Sequence, residues 1–327
     1  MNIVMFYADR AREWNSSQWR MRIPAEALIA AGHSVTMIFW EEDNPNIFKI
    51  CSDADVLIFE RLLTPLNVER MKLWKRHGKK IVVDFDDAYD LMTPDNPVYV
   101  SWHETTRFAP EPLGVALKKY LYLADLVQVP CKMLAEYYRP YCSKIRVVPN
   151  YPSFRMRWAE RYLVQVPGLI GWGGGMTHTT SFAESGVVPA LEGRNVIIWG
   201  GNPQISKLLP GARWVPQVPY TEWPYEIGRI SIGIAPLAGE YDKYRSWIKC
   251  VEFALKSIPW VATAAPPYEE CRGGILVQNE TDLWGKALDL LEDEAIYNQL
   301  SQEGWEWAWK LGIDDHIGER IALYEEL

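Results

Sequence analysis

The densest run of chemically capable side chains is Val83-Asp-Phe-Asp-Asp-Ala-Tyr-Asp90, which gathers Asp84, Asp86, Asp87 and Asp90 just after an apolar stretch. Carboxylates so close repel one another, so they need hydrogen bonds, a cation or raised proton affinity to coexist. Asp84, Asp86 and Asp87 are therefore candidate site residues. The plain alternative is that Asp86 or Asp87 caps the next helix or turn.

A second constellation is Arg245, Lys249 and Glu252. In a helix beginning near residue 245 they stand at i, i+4 and i+7 and share one face. Cations at a helix N-terminus oppose the macrodipole, and an anion bound there removes the conflict. Glu252, one turn further in, is placed to accept hydrogen bonds from ribose hydroxyls. The competing reading is a solvated face on which Glu252 pairs with Lys249 or Lys256. A third feature is Gly173-Gly174-Gly175, which follows an apolar run and precedes His178. Glycines there let a backbone approach a phosphate closely. The run is neither G-x-G-x-x-G nor a P-loop. His178 fits a donor contact and an ordinary helix start equally. Lastly, Asn15-Ser-Ser-Gln-Trp-Arg20 offers Ser17 as a cap or anion contact and Arg20 as a phosphate contact.

These residues need elements to hold them. Short β-rich runs at 2–8, 34–40, 56–59, 80–85, 126–130 and 145–148 alternate with helical patterns at 23–31, 67–76, 114–124 and 131–138. Pro24 sits in the first turn of the first helix and Gly32 just past its end. The rhythm breaks over 149–167, where three prolines and mixed charge mark a linker. It restarts with strands at 168–172, 195–199, 213–215, 230–235, 260–263 and 275–277. Helices are expected at 179–191, 203–208, 247–256, 281–291, 294–310 and 314–325. Such alternation predicts an α/β protein of two tandem Rossmann-like, doubly wound domains, whose facing strand ends form a ligand cleft. The expected division is 1–150, a linker at 151–167, 168–312, and a final helix at 313–327 that packs back on the first domain.

Composition narrows the partners. The chain has 327 residues, enough for two domains, with 48% hydrophobic and 23% charged residues as in a globular protein with an ample core. A net charge of −8 gives no global attraction to nucleic acid or anionic lipid. Five cysteines without a C-x-x-C pair argue against a disulfide framework or a zinc site and suit a cytoplasmic location. The N-terminus does not read as a signal peptide, and no apolar run is long enough for a transmembrane helix. Sixteen tryptophans offer faces that stack well on sugars, but large cores and interfaces use tryptophan too and account for more of them.

Several stretches resemble GT-B fold glycosyltransferases of the glycosyltransferase 4-like (group 1) superfamily. Gly233-Ile-Ala-Pro-Leu237 followed by Lys249-x-x-Glu252-Phe-Ala-x-x-Ser-Ile-Pro-Trp-Val-Ala-Thr263 looks like the donor-binding segment of those enzymes. Glu252 matches the second glutamate of their Glu-x7-Glu motif, which binds the nucleotide ribose, whereas Tyr244 stands in the place of the first. The Gly173–Gly175 run resembles their diphosphate-facing loop, and Gly274-Ile-Leu-Val-Gln-Asn their closing segment. The stretch from Arg20 through Pro24, Ala25, Leu28, Gly32 and His33 to Val35 resembles their first β-α unit, and Asp84-x-Asp86-Asp87 a cleft-facing motif of some members, which implies that Asp84 or Asp86 orients or deprotonates the acceptor hydroxyl and that Asp87 contacts the acceptor or a phosphate.

The resemblance implies transfer of a sugar, in hexosyltransferase fashion, from a UDP- or GDP-sugar to a hydroxyl acceptor. It implies retained anomeric configuration, no metal and no cofactor besides the nucleotide sugar. Gly173, Gly174, Gly175, His178, Arg245, Lys249 and Glu252 would bind the donor. The acceptor stays open among a glycan, a lipid, a protein, a small molecule and a modified nucleic-acid base. Three other readings stay open: a GT-B sugar-nucleotide epimerase, a phosphatase built on Asp84 and Asp86 as in the haloacid-dehalogenase type, and a silent binding protein.

Overall fold

The structure, a computed structural model, describes residues 1–9, 15–106, 109–159, 165–201 and 205–327. Parts of the expected linker (160–164) and of the expected helix at 203–208 (203–204) lie outside the described residues.

Two six-stranded, fully parallel sheets organise the chain. The first contains β1 (Asn2–Tyr7), β2 (Ser34–Phe39), β3 (Val56–Glu60), β4 (Lys80–Asp84), β5 (Leu126–Val129) and β6 (Ile145–Val147), in the order β2-β1-β3-β4-β5-β6. The second contains β7 (Ile170–Gly174), β8 (Val196–Gly200), β9 (Arg213–Val215), β10 (Ile232–Ala235), β11 (Trp260–Thr263) and β12 (Gly274–Val277), in the order β12-β11-β10-β7-β8-β9. In each sheet the strand order reverses beside the first strand, between β1 and β3 and between β7 and β10. Doubly wound sheets open a crevice at that switch point, outside the carboxyl ends of the strands. β3 and β8 are buried at every position, as sheets covered by helices on both faces require.

Tryptophan builds much of the interior: Trp172, Trp260 and Trp284 are among the largest fully buried side chains. The last helix, Ile313–Glu325, returns to the first sheet, where Tyr324 joins Ile3, Met5, Val56, Val82 and Leu126 in one apolar cluster.

Several elements differ from expectation for identifiable reasons. The first helix begins earlier than 23. The chain is helical from Ser16 and passes through a π-helical turn at Gln18–Arg22 before the regular helix Ile23–Ala30. Pro24 has no N–H to donate and its ring crowds the carbonyl four residues back, so the turn before it widens. The expected helix at 179–191 is two, Thr179–Glu184 and Val187–Leu191, because Gly186 breaks it at φ +78°. The helix expected over 114–124 stops at Tyr120 and tightens to a 3₁₀ turn at Leu121–Leu123.

Candidate active site

A cavity of about 600 Å³ lies where the carboxyl ends of the two sheets face each other. Its second-domain wall starts at the end of β7. Gly173 and Gly174 belong to the strand itself, only Gly175 is in the loop, and none of the three has positive φ. Their lack of side chains answers a packing demand. A Cβ on Gly173 would lie 2.3 Å from the Trp223 ring, and one on Gly174 would lie 2.6 Å from the Trp172 ring. The chain then turns through Met176–His178 into the helix that starts at Thr179.

Arg245 does not belong to the helix that carries Lys249 and Glu252. A 3₁₀ turn covers Tyr241–Tyr244, Arg245 is extended at φ −74° and ψ 177°, and the helix runs Ile248–Leu255. The shared helical face expected for the three residues is therefore corrected, and tertiary contacts converge them instead. Arg245 Nη1 and Lys249 Nζ both reach His178 Nε2, at 2.8 and 3.5 Å. Arg245 also donates to the Thr177 carbonyl at 3.0 Å and to Asp242 at 2.5 Å, and its guanidinium lies 4.5 Å from the centre of the Tyr241 ring.

Burial, with the charges of Arg245 and Lys249 beside it, pushes His178 well below the usual imidazole range, so the ring is neutral and Nε2 accepts. Its Nδ1 is then the protonated nitrogen, and it is buried with no hydrogen-bond partner among the described residues. Burial and then Arg245 lower Lys249 to about 8. Two cations thus share one neutral acceptor. Glu252, 2% exposed, lies further along the same wall, with Trp199, Gln217, Val218 and Trp223.

The first-domain wall is built at the β1–β3 switch point and by the loop after β4. Arg61, just past β3, is strained at φ +24°, a region that non-glycine residues avoid. Its guanidinium bridges Glu60 at 2.6 Å and Asp9 at 2.5 Å. Glu60 also accepts from Ser17 Oγ at 2.6 Å and from the Ala8 amide at 2.7 Å. Burial raises Glu60 to about 7 against the pull of Arg61, while Arg61 and Ser17 outweigh burial and hold Asp9 low. Tyr89 and Trp102 stack at 3.9 Å beside them.

The carboxylate run is satisfied one residue at a time. Asp84 is wholly buried, held by Arg20 through both oxygens at 2.6 and 2.9 Å and by Arg320 at 3.5 Å. Asp86 accepts from the Tyr89 hydroxyl. Asp87 accepts from the Tyr241 hydroxyl at 2.7 Å and lies 3.5 Å from Arg245. Asp90 is engaged by Lys118, Tyr137 and Tyr138.

Of the residues singled out by sequence, Asp86, Asp87, Gly173, Gly174, Gly175, His178, Arg245, Lys249 and Glu252 meet at the cavity. Asp84, Ser17 and Arg20 do not line it. Arg20 is spent inside the fold on Asp84, the Val148 carbonyl and Asn150, because the widened turn before Pro24 aims it inward. Ser17 is tied to Glu60 and to the Asp9 amide. Sequence reasoning missed Asp9, Glu60, Arg61 and Tyr241. The first three sit at the ends of two recognisable strands, and the switch-point rule applied to those ends would have found them.

No protein-family model and no curated protein matches the chain. Solved structures do match along its length. Sucrose-phosphate synthase from Thermosynechococcus elongatus aligns over 99% of this chain and 98% of its own, at a TM-score of 0.70 and 14% identity. Anabaena HepE in complex with UDP and glucose aligns over 98% of each chain, at 0.68 and 10%. An alpha-glucosyltransferase in complex with UDP aligns over 99% of each chain, at 0.65 and 13%. The chain has the GT-B fold: two parallel-sheet halves facing each other across a cleft.

Proposed function

We propose that this chain transfers a sugar from a nucleoside diphosphate sugar to a hydroxyl acceptor. The observation that carries this reading is the meeting of Arg245 and Lys249 on neutral His178 at the end of β7. Burial and Arg245 weaken the hold of Lys249 on its proton against the pull of Glu252 and Asp242, and a bound anion would restore it. A diphosphate meets that need. Arg245 and Lys249 would stabilise the negative charge that grows on the leaving diphosphate, in a cavity where fixed charges act more strongly than in water. Glu252 would accept hydrogen bonds from the ribose hydroxyls. Trp199, Val218 and Trp223 give the wall beside Gly173 an apolar, flat character suited to a base or a sugar ring.

UDP is the first donor nucleotide to try, because two of the structurally similar proteins hold it. The chemistry proposed is hexosyl transfer without a metal and with retained configuration. Arg245 and Lys249 supply the positive charge a metal would otherwise provide. Asp86 is the candidate to orient the acceptor hydroxyl from the opposite wall. Asp84 takes no part in this proposal, since a carboxylate with no exposure and two arginine partners does not reach the cavity. The same geometry disfavours a phosphatase built on it.

A thermal-shift screen of UDP-, GDP-, ADP- and TDP-sugars tests the proposal. A donor at a hundred times its Kd stabilises the fold by about 2.7 kcal/mol. Glu252→Ala and Lys249→Ala should each shrink that shift. If no sugar nucleotide moves the wild-type transition, the donor reading is wrong. Turnover of a bound donor without any acceptor would point to an epimerase instead.

A further inference from the structure

Arg245, the cation at the centre of the proposed donor site, already holds an anion from across the cleft. Asp87 belongs to the first half of the chain, in the loop after β4, while Tyr241 and Arg245 belong to the second. Asp87 Oδ2 accepts from the Tyr241 hydroxyl at 2.7 Å and lies 3.5 Å from Arg245 Nη1. The other carboxylate on Arg245, Asp242, is three residues away on the same segment and travels with it. Asp87 does not. Both Asp87 and Arg245 line the one cavity, and the Thr177 carbonyl beside them is likewise bridged, by Asn96 at 3.3 Å from the first half and by Arg245 at 3.0 Å from the second.

We propose that Asp87 stands in for the donor's diphosphate, neutralising Arg245 while the site is empty and giving way when a nucleoside diphosphate binds. This rests on the donor reading above and adds a competitor to it. A phosphate oxygen and the Asp87 carboxylate would compete for the same Nη1, and with Asp242 already on Nε the one positive charge of Arg245 does not offset the repulsion of a further anion. Nucleotide binding is then an exchange of anions on Arg245. The exchange releases the Tyr241–Asp87–Arg245 contact, so donor occupancy and the relative setting of the two halves become linked. Asp242 stays on Arg245 throughout, so the exchange concerns only the second anion, at Nη1.

The exchange makes an unusual prediction: removing a carboxylate from the site improves binding. Titration calorimetry compares the wild type with Asp87→Asn, using whichever of UDP, GDP, ADP and TDP binds the wild type most tightly. Asparagine keeps the shape and can still accept from Tyr241, and the affinity should rise by about tenfold, or 1.4 kcal/mol. Asp90→Asn, a carboxylate of the same loop held by Lys118, Tyr137 and Tyr138, serves as control and should bind within about twofold of the wild type. Should Asp87→Asn fold poorly, Tyr241→Phe frees Asp87 by another route and should tighten binding by about threefold. Equal or weaker binding by folded Asp87→Asn overturns the exchange, because Asp87 would then be neutral toward the ligand or help it. Failure of the wild type to bind any of the four nucleotides is a different outcome, and it removes the donor reading itself.

Discussion

Asp84→Asn separates a structural carboxylate from a chemical one. Asp84 has no solvent exposure, and its oxygens take two hydrogen bonds from Arg20 and one from Arg320, themselves 0% and 3% exposed. The substitution keeps the volume and one acceptor oxygen but removes the charge, leaving two buried guanidinium groups to balance. Breaking a buried pair in this way costs about 3–5 kcal/mol, and the retained oxygen places the expected loss near about 3 kcal/mol. Against a typical total of about 5–15 kcal/mol this is a large fraction, and it should lower the melting temperature by roughly 6–12 °C. Urea unfolding followed by tryptophan fluorescence measures the loss. Nucleotide binding, measured well below the transition, should persist per folded molecule. A variant as stable as the wild type would refute the account of the buried network, and one that is stable yet inactive would return Asp84 to the chemistry. The double substitution Arg20→Met with Asp84→Leu should recover part of the loss, since an apolar replacement leaves fewer uncompensated charges than a broken pair.

Other outcomes follow from particular contacts. Lys249 must be protonated to hold a diphosphate, and in the free protein burial and Arg245 lower it to about 8. Nucleotide affinity should therefore be level from pH 7 to about 8 and weaken above it, by up to about tenfold per unit, with the loss absent in Lys249→Met; calorimetry at pH 7 to 10 reads it. Gly173→Ala drives a Cβ into the Trp223 ring and should cost about 1–3 kcal/mol of stability, whereas Gly175→Ala, with nothing within 4 Å, should leave chemical denaturation unchanged. Deleting 313–327 removes Arg320 and Tyr324 from the first sheet, so protection from hydrogen exchange should fall in β1, β3 and β4 although the deletion begins more than 200 residues later.

Strand–helix alternation was legible because each buried parallel strand is a short apolar run bounded by turn signals, and the strand positions of both sheets follow those runs. The places where the reading slipped share a cause. Arg245, Lys249 and Glu252 were grouped by helical spacing, yet Arg245 lies outside the helix, and a fold in His178 and Thr177 from seventy residues upstream brings the cations together. Pro24 was placed correctly in a helix, but the π-turn it imposes, and the inward aim of Arg20 that follows, depend on packing beyond the local pattern.

The residue types that could serve a nucleotide sugar, the two-part α/β rhythm and the order of the cleft-facing segments were determined by sequence alone, because periodicity and glycine or carboxylate clustering are local properties. Which carboxylates face the cavity was decided only by the tertiary structure. Asp84, Asp86, Asp87 and Asp90 are indistinguishable as a run of letters, and each is told from the others by its partner: Arg20 and Arg320 for Asp84, Tyr89 for Asp86, Tyr241 and Arg245 for Asp87, and Lys118 with two tyrosines for Asp90. Of these only Tyr89 is a near neighbour in sequence. A buried charge takes its role from whichever opposite charge the fold delivers to it, and that delivery is a long-range event that no local pattern encodes.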